Sequence, residues 1–143
     1  MSSIQTDWVA LDTNIFVFGI RGDAAHSDCE RLLTDGILHL RLFMPLQVLS
    51  EVHRNLTAPE LRAFYHILDS APELNWNFAL PDESLVRGYE DAGAKKGDAV
   101  IAAQLERSNV LWLVSENRHF LAEIPNLSFS VVTATAAMNT LNI

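Results

Sequence analysis

The stretch Trp8-Val9-Ala10-Leu11-Asp12-Thr13-Asn14 decides how this chain is read. Its apolar run is too short for a buried helix and ends on a carboxylate, the pattern of a buried strand. Thr13 and Asn14 then cap a helix expected over Ile15–Ile20. A strand that passes straight into a helix is the first half of a βαβ unit.

The same alternation continues outward. Gly22 and Asp23 break the chain before a helix over Ala24–Thr34, with Gly36 as its C-cap. Leu38, Leu40 and Leu42 alternate with His39, Arg41 and Phe43 and predict a second strand. Pro45 opens a helix to about Asn55, with Leu46, Leu49 and Val52 on one face. Pro59–Leu68 is a further helix, with Leu61, Phe64, Tyr65 and Leu68 as its stripe. Trp76–Leu80 is a third strand, and Pro81 and Asp82 start a helix to about Ala92. Ala99–Arg107 is a helix opened by Asp98, and Val110–Val114 is a continuous apolar run expected of a central parallel strand. Phe129–Val132 is the last strand, followed by a helical tail around Ala134–Met138. Strands alternating with helices imply a mostly parallel sheet with right-handed crossovers. Residues 1–143 are expected to form one domain.

Composition narrows the function. Among 143 residues, 49% are hydrophobic, enough for a core, and no run is long enough to span a membrane. No basic leader precedes the short apolar run after Asp12, so a cytoplasmic protein is expected. The single cysteine, Cys29, excludes an intrachain disulfide and reads as a part-buried helix residue. The net charge of −8 argues against a nucleic-acid partner, because such binders present a basic face. Net charge is only a sum, however, and does not tell whether carboxylates gather at a metal site.

The carboxylates therefore carry the question. Asp12 stands at a strand exit, where it reads equally as a helix cap. Glu51, between Leu49 and Val52, lies close to an apolar helix face, where an unpartnered carboxylate is costly. Asp98 opens a helix rich in alanine that can approach the sheet closely, though the same place suits the helix dipole. Ser115-Glu116-Asn117-Arg118-His119-Phe120 is a polar cluster at the end of a strand. Asp12, Glu51 and Asp98 are distant in sequence, so only a fold can unite them. Once united, they require a counter-charge, for which Mg²⁺ or Mn²⁺ with oxygen ligands is suited.

In Leu11-Asp12-Thr13-Asn14, Ser50-Glu51-Val52-His53-Arg54-Asn55-Leu56, Gly97-Asp98-Ala99-Val100-Ile101-Ala102-Ala103 and Leu113-Val114-Ser115-Glu116-Asn117-Arg118-His119-Phe120, the chain resembles the PIN-domain ribonucleases, in particular the VapC-like toxins of type II toxin–antitoxin systems. The order and intervals of these motifs extend the resemblance over nearly the whole chain. It implies a three-layer α/β/α sandwich with a central mostly parallel sheet and an acidic pocket for Mg²⁺ or Mn²⁺. It implies endoribonuclease cleavage of single-stranded RNA, leaving 5′-phosphate and 3′-hydroxyl ends, with Asp12, Glu51 and Asp98 as catalytic and metal-site residues. A cognate antitoxin and a homodimer are the implied protein partners, and no membrane is implied. Asn117 stands where the family often has an aspartate, and an amide can ligate only through its neutral carbonyl oxygen. Glu116 should point elsewhere, as adjacent side chains diverge. Thr13, Asn14 and Ser115 are placed to serve the substrate, and Arg54, Lys95, Lys96 and Arg118 to meet RNA phosphates. The five histidines show no paired ligand spacing.

Asn117 also motivates a second reading, a catalytically weak PIN domain that binds RNA or protein. A phosphoacceptor receiver domain would want adjacent acids at Asp12 and a lysine in Ser115–Phe120, and neither is present. A DxD phosphatase would want an acid where Asn14 stands.

Overall fold

Trp8–Leu11 forms β1, the middle strand of a five-stranded parallel sheet, in a computed structural model that describes residues 2–143. The chain continues through α1 (Thr13–Arg21), α2 (Ser27–Thr34), β2 (Arg41–Pro45), α3 (Leu46–Asn55) and α4 (Ala58–Asp69). It then forms β3 (Glu73–Asn77), α5 (Glu83–Asp91), α6 (Lys96–Arg107), β4 (Trp112–Val114), β5 (Ser130–Val132) and α7 (Ala134–Leu141). The strand order is β3-β2-β1-β4-β5, every pairing is parallel, and helices cover both faces. This is the parallel sheet expected from the alternation, in the α/β/α sandwich that the resemblance implies. Val9, Ala10 and Leu11 are all buried, as a strand covered on both sides requires.

Several elements differ from the sequence reading, each for a physical reason. The alternation at Leu38–Phe43 does not mark a strand start. Gly36–His39 is a 3-10 turn with Leu38 exposed, and the strand signal is the buried run Leu42-Phe43-Met44. Gly36 is not the C-cap of α2. It sits where a Cβ would meet Leu32 and Met138, so it serves close packing. The third strand begins at Glu73, not Trp76. As an edge strand it tolerates polar residues, and Glu73 Oε2 accepts from Arg41 Nε across the pair at 2.8 Å. Phe78 and Leu80 lie beyond it, exposed. On α3 the buried residues are Val48 and Val52, with Leu49 only packed against the core. On α4, Phe64 and Leu68 are buried, and Phe64 meets Phe16 edge-to-face at 5.0 Å, a geometry worth about 1 kcal/mol. Tyr65 is exposed, its hydroxyl 2.6 Å from His53 Nε2.

Cys29 is fully buried on α2. Burial, and then the neighbouring Glu116, push its thiol up to about 12, so it is an inert packing residue. Among the described residues, no helix is long and apolar enough to cross a membrane.

Candidate active site

In a sheet of this order the chain leaves β1 in one direction and β4 in the other, which opens a crevice outside their carboxyl ends. Asp12 and Ser115 are the residues that follow those two strands. The Asp12 backbone N–H donates to Val114 O at 2.9 Å, which ties the two strand ends together.

Asp12 is 4% exposed and caps α1, with Oδ1 accepting from Thr13 N at 2.8 Å. Its Oδ2 accepts from Ser115 Oγ at 2.7 Å. The cap and the site position, alternatives in the sequence, are thus one arrangement. Thr13 also donates through Oγ1 to Glu51 Oε1 at 2.7 Å, so this one residue at the start of α1 addresses two carboxylates. The other Glu51 oxygen, Oε2, accepts from Gln47 Nε2 at 2.8 Å. Gln47 is held in turn through its backbone N–H, which donates to the buried Gln104 of α6 at 3.3 Å. This supplies a partner for the first turn of α3, which Pro45 cannot cap with a side chain.

Asp98 lies in the first turn of α6, two residues inside the helix. Its Oδ2 accepts from Asn117 Nδ2 at 3.2 Å. Gly97, just before it, stands against α3: a Cβ there would come within 2.8 Å of Glu51 Oε2. Glycine is what lets the helix carrying Asp98 approach the carboxylate of Glu51. Glu116 turns away, as expected, with Oε1 accepting from Ala134 N at the start of α7. Its backbone N–H donates to Asn14 Oδ1 at 3.2 Å, which joins the β4 exit to α1.

Asp12, Thr13, Asn14, Glu51, Asp98 and Asn117 line one open pocket of about 300 Å³, completed by Val17, Phe18 and Asn55. Burial pushes Asp12 up to about 6, beyond what its hydrogen bonds from Ser115 and Thr13 recover, and the charges of Asp98 and Glu51 push the same way. Asp98 is raised too, first by burial and then by Glu51, against the Asn117 hydrogen bond and the nearby His119 and Lys95. Among the described residues, none of the three carboxylates is in an ion pair. Nor, among the described residues, do three Asp, Glu, His or Cys side chains stand together so as to hold a metal ion. The pocket gathers hard oxygen donors and is short of positive charge, a chemistry that a divalent cation would complement.

Of the remaining sequence candidates, Ser115, expected to serve the substrate, does not reach the pocket, and the basic residues lie on the surface. Ser115 is fully buried behind Asp12 and holds it from within. Arg54, Lys95 and Arg118 are exposed. Lys96 lines a separate groove with Pro81, Glu83 and Arg87. Asn55 and Gly97 lie inside the quoted motifs but are not singled out there as site residues, and Gln47 lies outside every motif. For Gln47 and Asn55 the signal is helical spacing, one turn before and one turn after Glu51.

The fold and the pocket define a doubly wound α/β protein with an acidic crevice at the reversal of its sheet. Residues 9–125 match the PIN domain model, and the chain belongs to that family, whose members are generally nucleases and typically use divalent metal ions. No curated protein matches the sequence. Among solved structures, the chain is similar to VapBC2 from Rickettsia felis bound to a DNA fragment from its promoter. That match has 21% identity, covers 88% of this chain and 98% of the other, and has a TM-score of 0.57. It is similar also to PAE2754 from Pyrobaculum aerophilum, at 14% identity, 99% and 100% coverage and a TM-score of 0.55. At these identities the likeness is one of fold.

Proposed function

We propose that the protein is a metal-dependent endoribonuclease, acting in the cytoplasm as the toxin of a toxin–antitoxin pair, with the chain forming one PIN unit. The observation that carries this reading is the meeting of Asp12, Glu51 and Asp98, from three separate elements, in one open pocket at the carboxyl ends of β1 and β4. Asp12 and Asp98 would hold Mg²⁺ or Mn²⁺ directly and Glu51 directly or through water. The bound ion supplies the positive charge that a phosphodiester requires and acidifies water.

The chain's own contribution is to set the ligands before substrate arrives. Thr13 N–H and Ser115 Oγ–H hold both Asp12 oxygens, so the carboxylate does not need to rotate. Thr13 and Gln47 hold the two Glu51 oxygens in the same way. Asn14 joins α1 to the β4 exit and presents its side chain at the pocket wall. Arg54, Lys95 and Arg118, exposed on the surrounding segments, are placed to meet RNA phosphates beyond the scissile one. Held by Asp12, Asp98 and Glu51, such an ion would supply an activated water as nucleophile, so neither a ribose 2′-hydroxyl nor a histidine acid–base pair would be needed.

The toxin assignment is supported by the likeness in fold to VapBC2, a complex bound to promoter DNA. A cognate antitoxin and a homodimer are the partners that follow from it. Cleavage of a fluorescent single-stranded RNA in Mn²⁺, with an EDTA control, tests the activity. D12N is expected to abolish metal-dependent cleavage, and unchanged activity in that variant rules out this site. Growth arrest on expression of wild type but not of D12N distinguishes a toxin from another nuclease. Asn117 favours one second reading, a catalytically weak RNA- or protein-binding module. Absence of cleavage together with retained RNA binding in the same assay would select it.

A further inference from the structure

The pocket does not end at its carboxylates. Val17 lies one turn along α1 from Thr13, and Asn55 one turn along α3 from Glu51. Thr13 Oγ1 and Glu51 Oε1 join the two helices at 2.7 Å. Each helix follows a strand of the parallel sheet and runs back along it, so the pocket continues between them. Its wall there is Val17, Phe18 and Asn55.

Phe18 is only half-buried in that wall. An aromatic ring facing a pocket leaves apolar area without a partner. The ring is fixed from behind. Gly22, at φ 63°, ends α1 and turns the chain back. His26 then stacks flat on Phe18, with ring centroids 3.9 Å apart and 1° between the planes. Asp23 Oδ1 accepts from Ala25 N at 2.9 Å and from His26 Nδ1 at 3.2 Å, which holds the edge of the His26 ring. The ring that lines the pocket is thus one layer of a stack set before any ligand arrives.

We infer that Phe18, backed by His26, is a stacking platform for one nucleobase of a single-stranded RNA whose phosphate lies at the carboxylates. This rests on the active-site reading above. One helical turn, ~5.4 Å, separates Thr13 from Val17, a span that a nucleotide covers between its phosphate and its base. Every base has a π-face, and in a single strand that face is free, so such a platform binds without reading sequence. A duplex keeps its bases stacked on one another and has none to offer. The net charge of −8 gives the contact more weight, since attraction to phosphates is weak in this protein.

Fluorescence anisotropy of D12N in Mg²⁺ tests this, with F18L, F18Y and H26A each placed in the D12N background and thermal melts to establish folding. The probes are a labelled single-stranded RNA of mixed sequence and the same ribose–phosphate chain without bases. F18L keeps the apolar volume and removes the ring. It is expected to weaken RNA binding at least about fivefold, and binding of the baseless chain less than about twofold. F18Y keeps the ring and is expected to bind both strands within about twofold of D12N. A folded F18L that binds RNA within about twofold of D12N overturns the inference, as does one that loses equally on both strands. If F18L does not fold, H26A decides: a loss of at least about threefold on RNA alone supports the platform, and no change overturns it. Cleavage of the same RNA by D12N at the wild-type rate, or by neither protein, sinks the active-site reading itself. Cleavage by wild type alone, with F18L binding RNA as D12N does, sinks only the stacking.

Discussion

Asp12 concentrates the chemistry at the scale of the single residue. Its carboxyl is almost fully buried and titrates at about 6 in the metal-free protein, above the ordinary value of 3.8. An acid with a raised folded pKa stabilises the fold in its protonated form. That contribution is complete below pH 3.8 and is lost as pH rises through about 6. Two pKa units correspond to about 3 kcal/mol, an upper figure for one buried group. Metal-free wild type should therefore lose stability relative to D12N between pH 4 and pH 7, by up to about 3 kcal/mol, in parallel urea unfolding series. A wild-type minus D12N difference that stays flat across this range would show that burial does not penalise the Asp12 charge. The sequence makes the two roles of Asp12 visible as alternatives, since both cap and ligand belong at a strand exit. That one side chain fills both roles depends on Ser115, whose hydroxyl reaches Asp12 only after β4 is paired beside β1.

At the scale of the element, α6 shows what spacing reveals and what it hides. Its alanines are legible as a close-packing face, and Ala99, Ala102 and Ala103 are fully buried. The reason for Gly97 is not legible, because it lies on α3, far away in sequence. A Cβ at Gly97 would meet Glu51 Oε2 at 2.8 Å, but that oxygen ends a flexible side chain and can move aside. Alanine also favours helix by up to about 1 kcal/mol over glycine. G97A should therefore unfold within about 1 kcal/mol of wild type in urea yet lose roughly tenfold in Mn²⁺ affinity, as displaced supporting contacts at metal sites do. Equal losses of stability and affinity would place Gly97 in the scaffold alone. The strand errors have a related origin. Alternation misplaces β2 because its partners cover both faces, and the third strand expected at Trp76–Leu80 begins earlier because an edge strand carries Glu73, Asn75 and Asn77 among its apolar residues.

At the scale of the molecule, the alternation of strands and helices makes the parallel sheet legible, and the resemblance implies its three-layer sandwich. The order β3-β2-β1-β4-β5, which places the crevice, comes from long-range pairing that no local pattern encodes. That order changes the meaning of the net charge of −8. Three acids of the excess face one pocket, where on the proposed reading a divalent ion would offset them, while Arg54, Lys95 and Arg118 stand exposed on neighbouring segments. Affinity for single-stranded RNA falls with salt at about 0.7 of a log unit per neutralised phosphate, so these cations predict a slope of about −2 in log K against log salt. Fluorescence anisotropy of D12N with a labelled single strand, in Mg²⁺ and from 50 to 300 mM KCl on the order of physiological ionic strength, measures that slope without cleavage. A slope steeper than about −4 would require a wider basic track than this surface offers, and would locate it on a partner or on a second copy of the chain. The shallow slope follows from a protein whose long-range field repels nucleic acid. If RNA is the substrate, as proposed, the protein's grip on it would then come from contacts at the crevice, and selectivity would reside in the shape of the segments around the pocket more than in charge.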